Sequence, residues 1–280
     1  SYGGYIYTNG DPTKIFRSKI LFNPGLKVWF YLSLSGIGMF ILLQFFKINK
    51  ISALFGSLIS ALTPYAFGLI NAGHLNKIFA MAYVPWVIYA GIYFIHKPRI
   101  ISLLVLSLVT ALQLWANHPQ VAYYTWMVIG FYYMWILVSS IIDKAFSSKG
   151  SLYPLFGLIV GIAIALLMVS DPYVDIYKFQ EHSNRGAVSV LDQSSETSKG
   201  TKWEYATQWS FHPKELLSLV YPYYFGLQNT SDVKKGAYWG FMPFTQSTHY
   251  VGLVILMFSI LGIVLRKPKR FELIFWIVTG

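Results

Sequence analysis

Two short polar turns between apolar segments carry histidines that could bind an anion or transfer a proton. The first turn is Asn71–Lys77, read Asn-Ala-Gly-His-Leu-Asn-Lys, and the second is Asn117–Pro119, read Asn-His-Pro. Imidazole titrates near neutral pH and a lysine ammonium is a compact positive charge. His74, His118 and Lys77 could therefore hold an anionic headgroup or transfer a proton.

The same residues also fit a structural role at the ends of helices. Gly73 would end one helix, and His74 or Asn76 would then satisfy free backbone groups in the turn. Pro119 would begin the next helix, with Asn117 as its N-terminal cap. The residue types allow either interpretation.

A third group of chemically capable residues lies in segment 171–186, DPYVDIYKFQEHSNRG. Asp171 and Asp175 are one helical turn apart, and such a pair can bind a divalent cation or act as a base, although solvated surface charge is the alternative. Asp171 directly follows an apolar segment and is expected at the membrane boundary. Arg185 could form a bidentate clamp on a phosphate.

Aromatic residues dominate the two segments that follow, 203–228 and 238–252. Their side chains could stack on sugar rings or prenyl groups, or could form an aromatic belt at headgroup depth. The candidates for stacking are Trp203, Trp209, Tyr238 and Trp239.

The elements that position these residues are predicted to be transmembrane helices. Apolar residues make up 55% of the chain, charged residues 12%, and the mean hydropathy is +0.49, whereas a soluble domain is about one quarter charged. Several apolar runs approach the ~18 residues that span a bilayer. We predict an all-α, polytopic transmembrane helical bundle with seven complete spans and an eighth that begins near Phe271. We also expect the chain to be an internal segment of a longer protein. The seven complete spans are expected at 28–46, 51–70, 78–95, 99–116, 120–142, 152–170 and 250–265.

Several function classes are excluded or disfavoured by the sequence. It has no cysteine, which excludes disulfides and thiolate sites. It has no GxxxxGK[ST], HExxH, GxSxG or GxGxxG motif. The net charge of +11 does not form a basic block interleaved with aromatics, so no nucleic-acid partner is expected. The spans lack acids and bases at mid-membrane, which disfavours an ion-coupled transporter, and Gly157 and Gly161 predict a close helix contact.

The distribution of charge predicts the orientation. Ten of the 22 Lys and Arg residues lie in the alternate loops near 47–50, 97–99, 143–149 and 266–270, which predicts that these loops are cytoplasmic. Both polar turns and the loop 171–249, which holds eight of the eleven acids, then lie outside. The outer segment 1–27 disagrees with this rule, because it carries Lys14, Arg17, Lys19 and Lys27.

An ordered series of motifs across nearly the whole chain resembles the YfhO-type family of bacterial polytopic membrane proteins. The motifs are INAGHLNKIFAMAYVPW, NHPQVAYY, HSNRG, ATQWSFHPKELLSLVYPYYFG and YWGFMPFTQSTHYVGL. The resemblance implies a GT-C-like fold in the bacterial cytoplasmic (inner) membrane. It also implies glycosyl transfer from a polyprenyl-phosphate-linked sugar at the outer face.

The resemblance further implies a division of the chain and roles for its residues. Segment 1–27 would be the remainder of the first outer loop, 28–170 a six-span bundle, 171–249 an extracytoplasmic loop, and 250–280 the seventh span with the start of an eighth. The catalytic base of such enzymes lies in the first outer loop, and Asp11 is the one acid in 1–27. The alternatives are a turn or cap role for Asp11, which precedes a proline in NGDP, and a base that lies upstream of Ser1. Asp171 could position a divalent cation or the acceptor, and the donor phosphate would be held by Lys14, Arg17, Lys19, Lys77 and Arg185. The alternatives are a non-catalytic scaffold or accessory subunit with protein partners in a membrane complex, and a lipid-linked sugar flippase.

Overall fold

The described part of the chain is entirely helical. The computed structural model describes residues 23–144, 147–180, 213–221 and 250–266. Within these segments no strand occurs, which confirms the predicted all-α class. The α-helices are α1 (Pro24–Phe45), α2 (Lys50–Ala61), α3 (Pro64–Asn71), α4 (Leu75–Ala82), α5 (Val84–His96), α6 (Ile100–Trp115), α7 (Pro119–Ile142), α8 (Ser148–Met168), α9 (Ser170–Gln180) and α10 (Leu253–Arg266), with a 3₁₀ helix at Pro213–Leu219.

Several of these helical segments are long and apolar enough to cross a membrane. Four segments qualify by length and hydropathy: Pro24–Phe45, Lys50–Asn71, Leu75–His96 and Pro119–Ile142. Three shorter apolar helices lie at Ile100–Trp115, Leu152–Met168 and Leu253–Leu265. These helices indicate a membrane protein and coincide with the seven predicted spans. The eighth span, expected near Phe271, lies outside the described residues.

Two of the predicted spans are each built from two helices, and a proline stands at both breaks. Pro64 begins α3, and Thr63 caps this helix by accepting a 3.2 Å bond from the Ala66 amide to its Oγ1. Pro85 is the second residue of α5 and has no N–H, so it cannot donate to the carbonyl four residues earlier. Tyr83 alone separates α4 from α5. The hydropathy profile showed each pair as a single span because the apolar composition continues through the break.

The helices pack through aromatic and small residues. Tyr31 of α1 stacks on Phe79 of α4 with ring centroids 4.1 Å apart. Trp86 of α5 donates from Nε1 to the Leu34 carbonyl of α1 over 2.8 Å.

Helix α8 lies close to both α5 and α6 at its two glycines. A Cβ at Gly157 would lie 2.2 Å from Phe94 Cζ of α5. A Cβ at Gly161 would lie 3.3 Å from Leu103 Cδ1 of α6. The glycine pair therefore makes the close helix contact that its spacing predicts.

The segment after α8 begins with a helix. Residues from Asp171 onward were predicted as a long extracytoplasmic loop, but α9 continues as far as Gln180. Tyr173 fixes the start of α9, because its hydroxyl donates a 3.1 Å bond to the Leu114 carbonyl near the end of α6. Burial of this phenol raises its pKa to about 12. The first turn of α9 thus lies at the same end of the helices as the turn after α6.

Candidate functional site

The first polar turn ends α3 through Gly73, as predicted. Gly73 has φ +73°, a left-handed conformation that glycine adopts without a steric penalty. Its amide donates to the Ile70 carbonyl over 3.0 Å, and the His74 amide donates to the Leu69 carbonyl over 2.9 Å. These two bonds form a Schellman motif. Asn71, the last residue of α3, is exposed.

The predicted capping role of His74 and Asn76 is wrong. His74 occupies the N-cap position of α4, but its side chain accepts no bond from the helix. Asn76 is the second residue inside α4 rather than its cap. The imidazole of His74 is exposed, so it stays available to other groups.

The second polar turn corrects the prediction for Asn117. It was expected to cap α7, but it ends α6 instead: its φ is +56° and its amide donates to the Leu114 carbonyl over 2.9 Å. Asparagine tolerates this left-handed conformation better than most residues. Pro119 begins α7 as expected, which makes His118 the N-cap residue, and its side chain makes no capping bond.

The two turns meet at a cleft between α3, α4, the start of α5 and α7. We call it the Lys77–His118 cleft; its volume is about 330 Å³. Lys77 donates from Nζ to the Tyr65 hydroxyl at one wall. Gln120 donates from Nε2 to the Tyr124 hydroxyl over 3.0 Å at the opposite wall. The cleft is lined by Tyr65, Lys77, Met81, Val84, His118, Gln120, Val121, Tyr124, Thr125 and Val128.

The electrostatics of this cleft favour a negatively charged ligand. Burial lowers the pKa of His118 below its ordinary value of 6.5, and the positive charges of Lys77 and His74 lower it further. His118 is therefore neutral at neutral pH. Its Nδ1 is buried and has no hydrogen-bond partner within the described segments. No carboxylate is among the described lining residues.

The backbone adds to the same positive potential. Helices α4 and α7 both begin at this cleft, directly after His74 and His118. The N-terminus of a helix carries a partial positive charge from its unpaired amides, and this charge stabilises nearby anions. Because neither histidine side chain caps its helix, no side-chain acceptor at either N-cap offsets that charge.

Gln113 is a residue of this region that the sequence interpretation missed. It is fully buried in α6, and its Nε2 donates to the Ala80 carbonyl over 3.2 Å and to Thr125 Oγ1 over 3.0 Å. The first bond lies beside the break between α4 and α5, and the second fixes a side chain that lines the cleft. Its Oε1 has no partner among the described residues. The available signal was the spacing of Ser107, Thr110 and Gln113, three residues apart in an apolar helix.

The carboxylates that were predicted to act catalytically do not line this cleft where the structure describes them. Asp171 and Asp175 are both exposed, one turn apart on α9. The described segments contain no group of three His, Cys, Asp or Glu side chains that could hold a metal ion. The position of Asp171 at the start of α9 places it at the same end of the helices as His118.

The remaining predicted site residues lie outside the described residues. They are Asp11, Lys14, Arg17, Lys19, Arg185, Trp203, Trp209, Tyr238 and Trp239. Of the predicted set, the structure brings together Lys77, His118 and His74, and it leaves Asn71 and Asn117 exposed on the adjoining turns.

Comparisons with known proteins add no family to this picture. No family model, curated protein or solved structure matches the chain. The resemblance to the YfhO-type family and the GT-C-like fold therefore stay predictions from the sequence motifs.

Proposed function

We propose that the protein is a multi-pass glycosyltransferase of the bacterial inner membrane that takes sugar from a polyprenyl-phosphate donor at the outer face. The observation that supports this proposal is the Lys77–His118 cleft. It combines the Lys77 ammonium, the His118 imidazole and two helix N-termini at one end of apolar helices, and His74 lies in the adjoining turn.

The shape of the cleft suits a lipid phosphate better than a free one. Its nitrogen-bearing side chains Lys77, His118 and Gln120 lie at or beside the two turns. Met81, Val84 and Val128 lie further along the helices and add apolar surface. Val128 lies nine residues beyond Pro119, and at 1.5 Å per residue this is about 14 Å along α7. A phosphate held at Lys77 would then direct an attached hydrocarbon chain along an apolar surface.

The charges of the cleft match the chemistry of the transfer. A sugar joined to a prenyl phosphate is a phosphodiester with one negative charge. When the acceptor oxygen bonds to the anomeric carbon, the bond between that carbon and the phosphate oxygen breaks, and its electron pair stays on the phosphate. The leaving phosphate gains a second negative charge, which Lys77 and His118 would stabilise. The base that takes the acceptor proton would be Asp11 or Asp171, and a divalent cation at Asp171 belongs to the same proposal.

The test uses the full-length protein in lipid nanodiscs with a panel of polyprenyl-phosphate sugars, followed by mass spectrometry. We expect sugar transfer or release by the unaltered protein. In Lys77→Met the rate should fall by at least about tenfold, since a charge that contacts phosphate contributes ~1.5–3 kcal/mol. Lys97→Met is the matched control, because Lys97 follows the far end of the same α4–α5 segment. Its rate should be unchanged.

One result would reject the proposal. If folded protein neither transfers nor releases sugar from any donor in the panel, it is not a glycosyltransferase of this type. A normal rate in Lys77→Met would separately reject the role of the cleft.

A second candidate is a carrier of lipid-linked sugar, and one observation favours it. The described lining of the cleft supplies one ammonium, one imidazole and several hydroxyls, but no carboxylate that could act as a base. A carrier would retain the donor in the same assay and move it between leaflets without breaking the glycosidic bond. If the donor is neither retained nor cleaved, the protein is better described as a scaffold or accessory subunit.

A further inference from the structure

We infer that binding of a phosphodiester anion in the Lys77–His118 cleft is coupled to uptake of one proton by the imidazole of His118. The inference rests on the proposed function for the identity of the ligand as a lipid phosphodiester. It goes beyond that function by assigning His118 as a proton-linked binding residue.

The geometry supplies a proton acceptor beside the anion site. His118 lines the cleft together with Lys77, and its Nδ1 is buried without a partner among the described residues. A neutral imidazole has one donor and one acceptor nitrogen, but an imidazolium has two donors. In the protonated ring both nitrogens donate, so the nitrogen that faces the cleft can donate to the bound oxygen whichever tautomer the neutral ring adopts.

The surroundings of His118 oppose that protonation. Burial disfavours the charged ring, and the charges of Lys77 and His74 repel it, so the pKa of His118 lies below 6.5. A phosphodiester bound at Lys77 would counteract the repulsion between Lys77 and a protonated His118, because its negative charge offsets the ammonium and attracts the imidazolium. The pKa of His118 then rises on binding, and at a pH between the two values the ring takes a proton from solvent.

The groups that face His118 from neighbouring elements define the expected response. Lys77 and Tyr65 face it across the cleft from α4 and α3, with His74 in the turn between these helices. Tyr124 lies on its own helix. No acid in the described segments is among the causes that shift the pKa of His118, so the expected change on binding comes from the anion.

The probe must carry no proton that titrates in the same range. A phosphate monoester has a second pKa near 6, so its own ionisation would obscure the measurement. A short-chain prenyl methyl phosphodiester is a permanent monoanion and keeps both the headgroup charge and the apolar chain. Inorganic sulfate serves as the chain-free anion and distinguishes a lipid source from a free one.

The experiment is isothermal titration calorimetry of the full-length protein in nanodiscs, in buffers with different ionisation enthalpies. The dependence of the observed enthalpy on the buffer gives the number of protons taken up. We expect uptake of up to one proton per phosphodiester, and an affinity that rises by at most about tenfold per pH unit as pH falls from roughly 8 to 6. His118→Gln keeps a polar side chain of similar size that does not titrate. In this variant both the proton uptake and the pH dependence of the affinity should vanish, while Lys77 still supports weaker binding.

Three results would overturn the inference: no binding of the phosphodiester, binding without proton uptake, or uptake that persists in His118→Gln. Binding of sulfate with the same uptake supports proton-linked anion binding and shows that the chain is dispensable. If the phosphodiester binds with proton uptake and sulfate does not bind, the inference is supported and the ligand is assigned as a lipid. Sugar transfer without proton uptake would refute this inference and leave the proposed function standing. Proton-linked binding without sugar transfer would support this inference and refute the proposed glycosyltransferase function.

Discussion

Replacement of Gln113 by leucine should leave the protein about as stable as before, although Gln113 is fully buried and makes two hydrogen bonds. Each such bond contributes on average about 0.6 kcal/mol in a membrane protein, so the loss is about 1 kcal/mol. The partners keep other bonds: the Ala80 carbonyl accepts from the Tyr83 amide, and the Thr125 hydroxyl donates to the Val121 carbonyl over 2.8 Å.

The replacement also removes a cost. Gln113 Oε1 is buried without a partner among the described residues, and an unsatisfied acceptor costs about 1–3 kcal/mol. The two contributions nearly cancel, so the free energy of unfolding of Gln113→Leu should stay within about 1 kcal/mol of the original or exceed it. Thr125→Val should behave differently, because one of the two donors on Gln113 Nε2 loses its acceptor, and we expect a loss of about 1–3 kcal/mol.

A double-mutant cycle separates these effects. The free energy of unfolding of both single variants and the double variant would be measured by titrating mixed micelles with dodecyl sulfate and following circular dichroism. With leucine at 113, no donor is left unpaired, so Thr125→Val should cost at least about 1 kcal/mol less than it does in the original protein. An equal cost in both backgrounds would refute the network. A loss above about 3 kcal/mol for Gln113→Leu would show that Oε1 is satisfied.

Substitutions at three further positions, Gly73, Gly157 and Tyr173, test the local geometry by the same unfolding measurement. Gly73→Ala should cost about 1–2 kcal/mol because the residue has φ +73°, and Gly73→Asn should cost less; equal costs would contradict the conformational argument. Gly157→Ala should lower the free energy of unfolding by about 1–3 kcal/mol, because the new Cβ would lie 2.2 Å from Phe94 Cζ. Gly130→Ala is the control: no atom lies within 4 Å of a Cβ there, so this substitution should be neutral or stabilising. Tyr173→Phe should lower the free energy of unfolding by about 1 kcal/mol. The pKa of Tyr173 is raised to about 12, so its stabilising contribution is complete below pH 10 and is lost between pH 10 and 12. The difference in stability between the two proteins should therefore shrink in that range.

The positions of the helices followed from the sequence because hydropathy depends only on composition. The breaks within two spans did not, although Pro64 and Pro85 mark them. A proline interrupts the hydrogen bonds of a helix without making the segment less apolar. A hydropathy profile therefore cannot distinguish one kinked span from two short helices.

The contents of the cleft were only partly predictable. Lys77 and His118 were recognised by residue type, but their proximity depends on how α4 packs against α7. Asn117 was assigned to the wrong helix because asparagine suits both an N-cap and a left-handed C-terminal position. The position of Pro119 decides between them: a proline at the first helical residue places the N-cap at His118.

Gln113 was overlooked for a different reason. Acids and bases are the polar residues that stand out most in an apolar span, because their insertion into a membrane is most costly. A neutral amide is cheaper to bury and stands out less in composition. Its importance comes from its position, since it bonds to the break between α4 and α5 and to the wall of the cleft at once.

The two histidines at the cleft are poor choices for helix stability alone. Serine, threonine, aspartate or asparagine at an N-cap stabilises a helix by about 0.5–2 kcal/mol relative to a residue that cannot cap it. His74 and His118 both hold N-cap positions without making the capping bond, so each leaves that stabilisation unrealised. The loss occurs twice, at two helices that begin beside the same cleft. Sites that depart from the locally most stable residue are often functional ones. An aspartate cap at either position would place a negative charge beside Lys77 and the two helix N-termini, whereas histidine leaves their positive potential available to an anionic ligand.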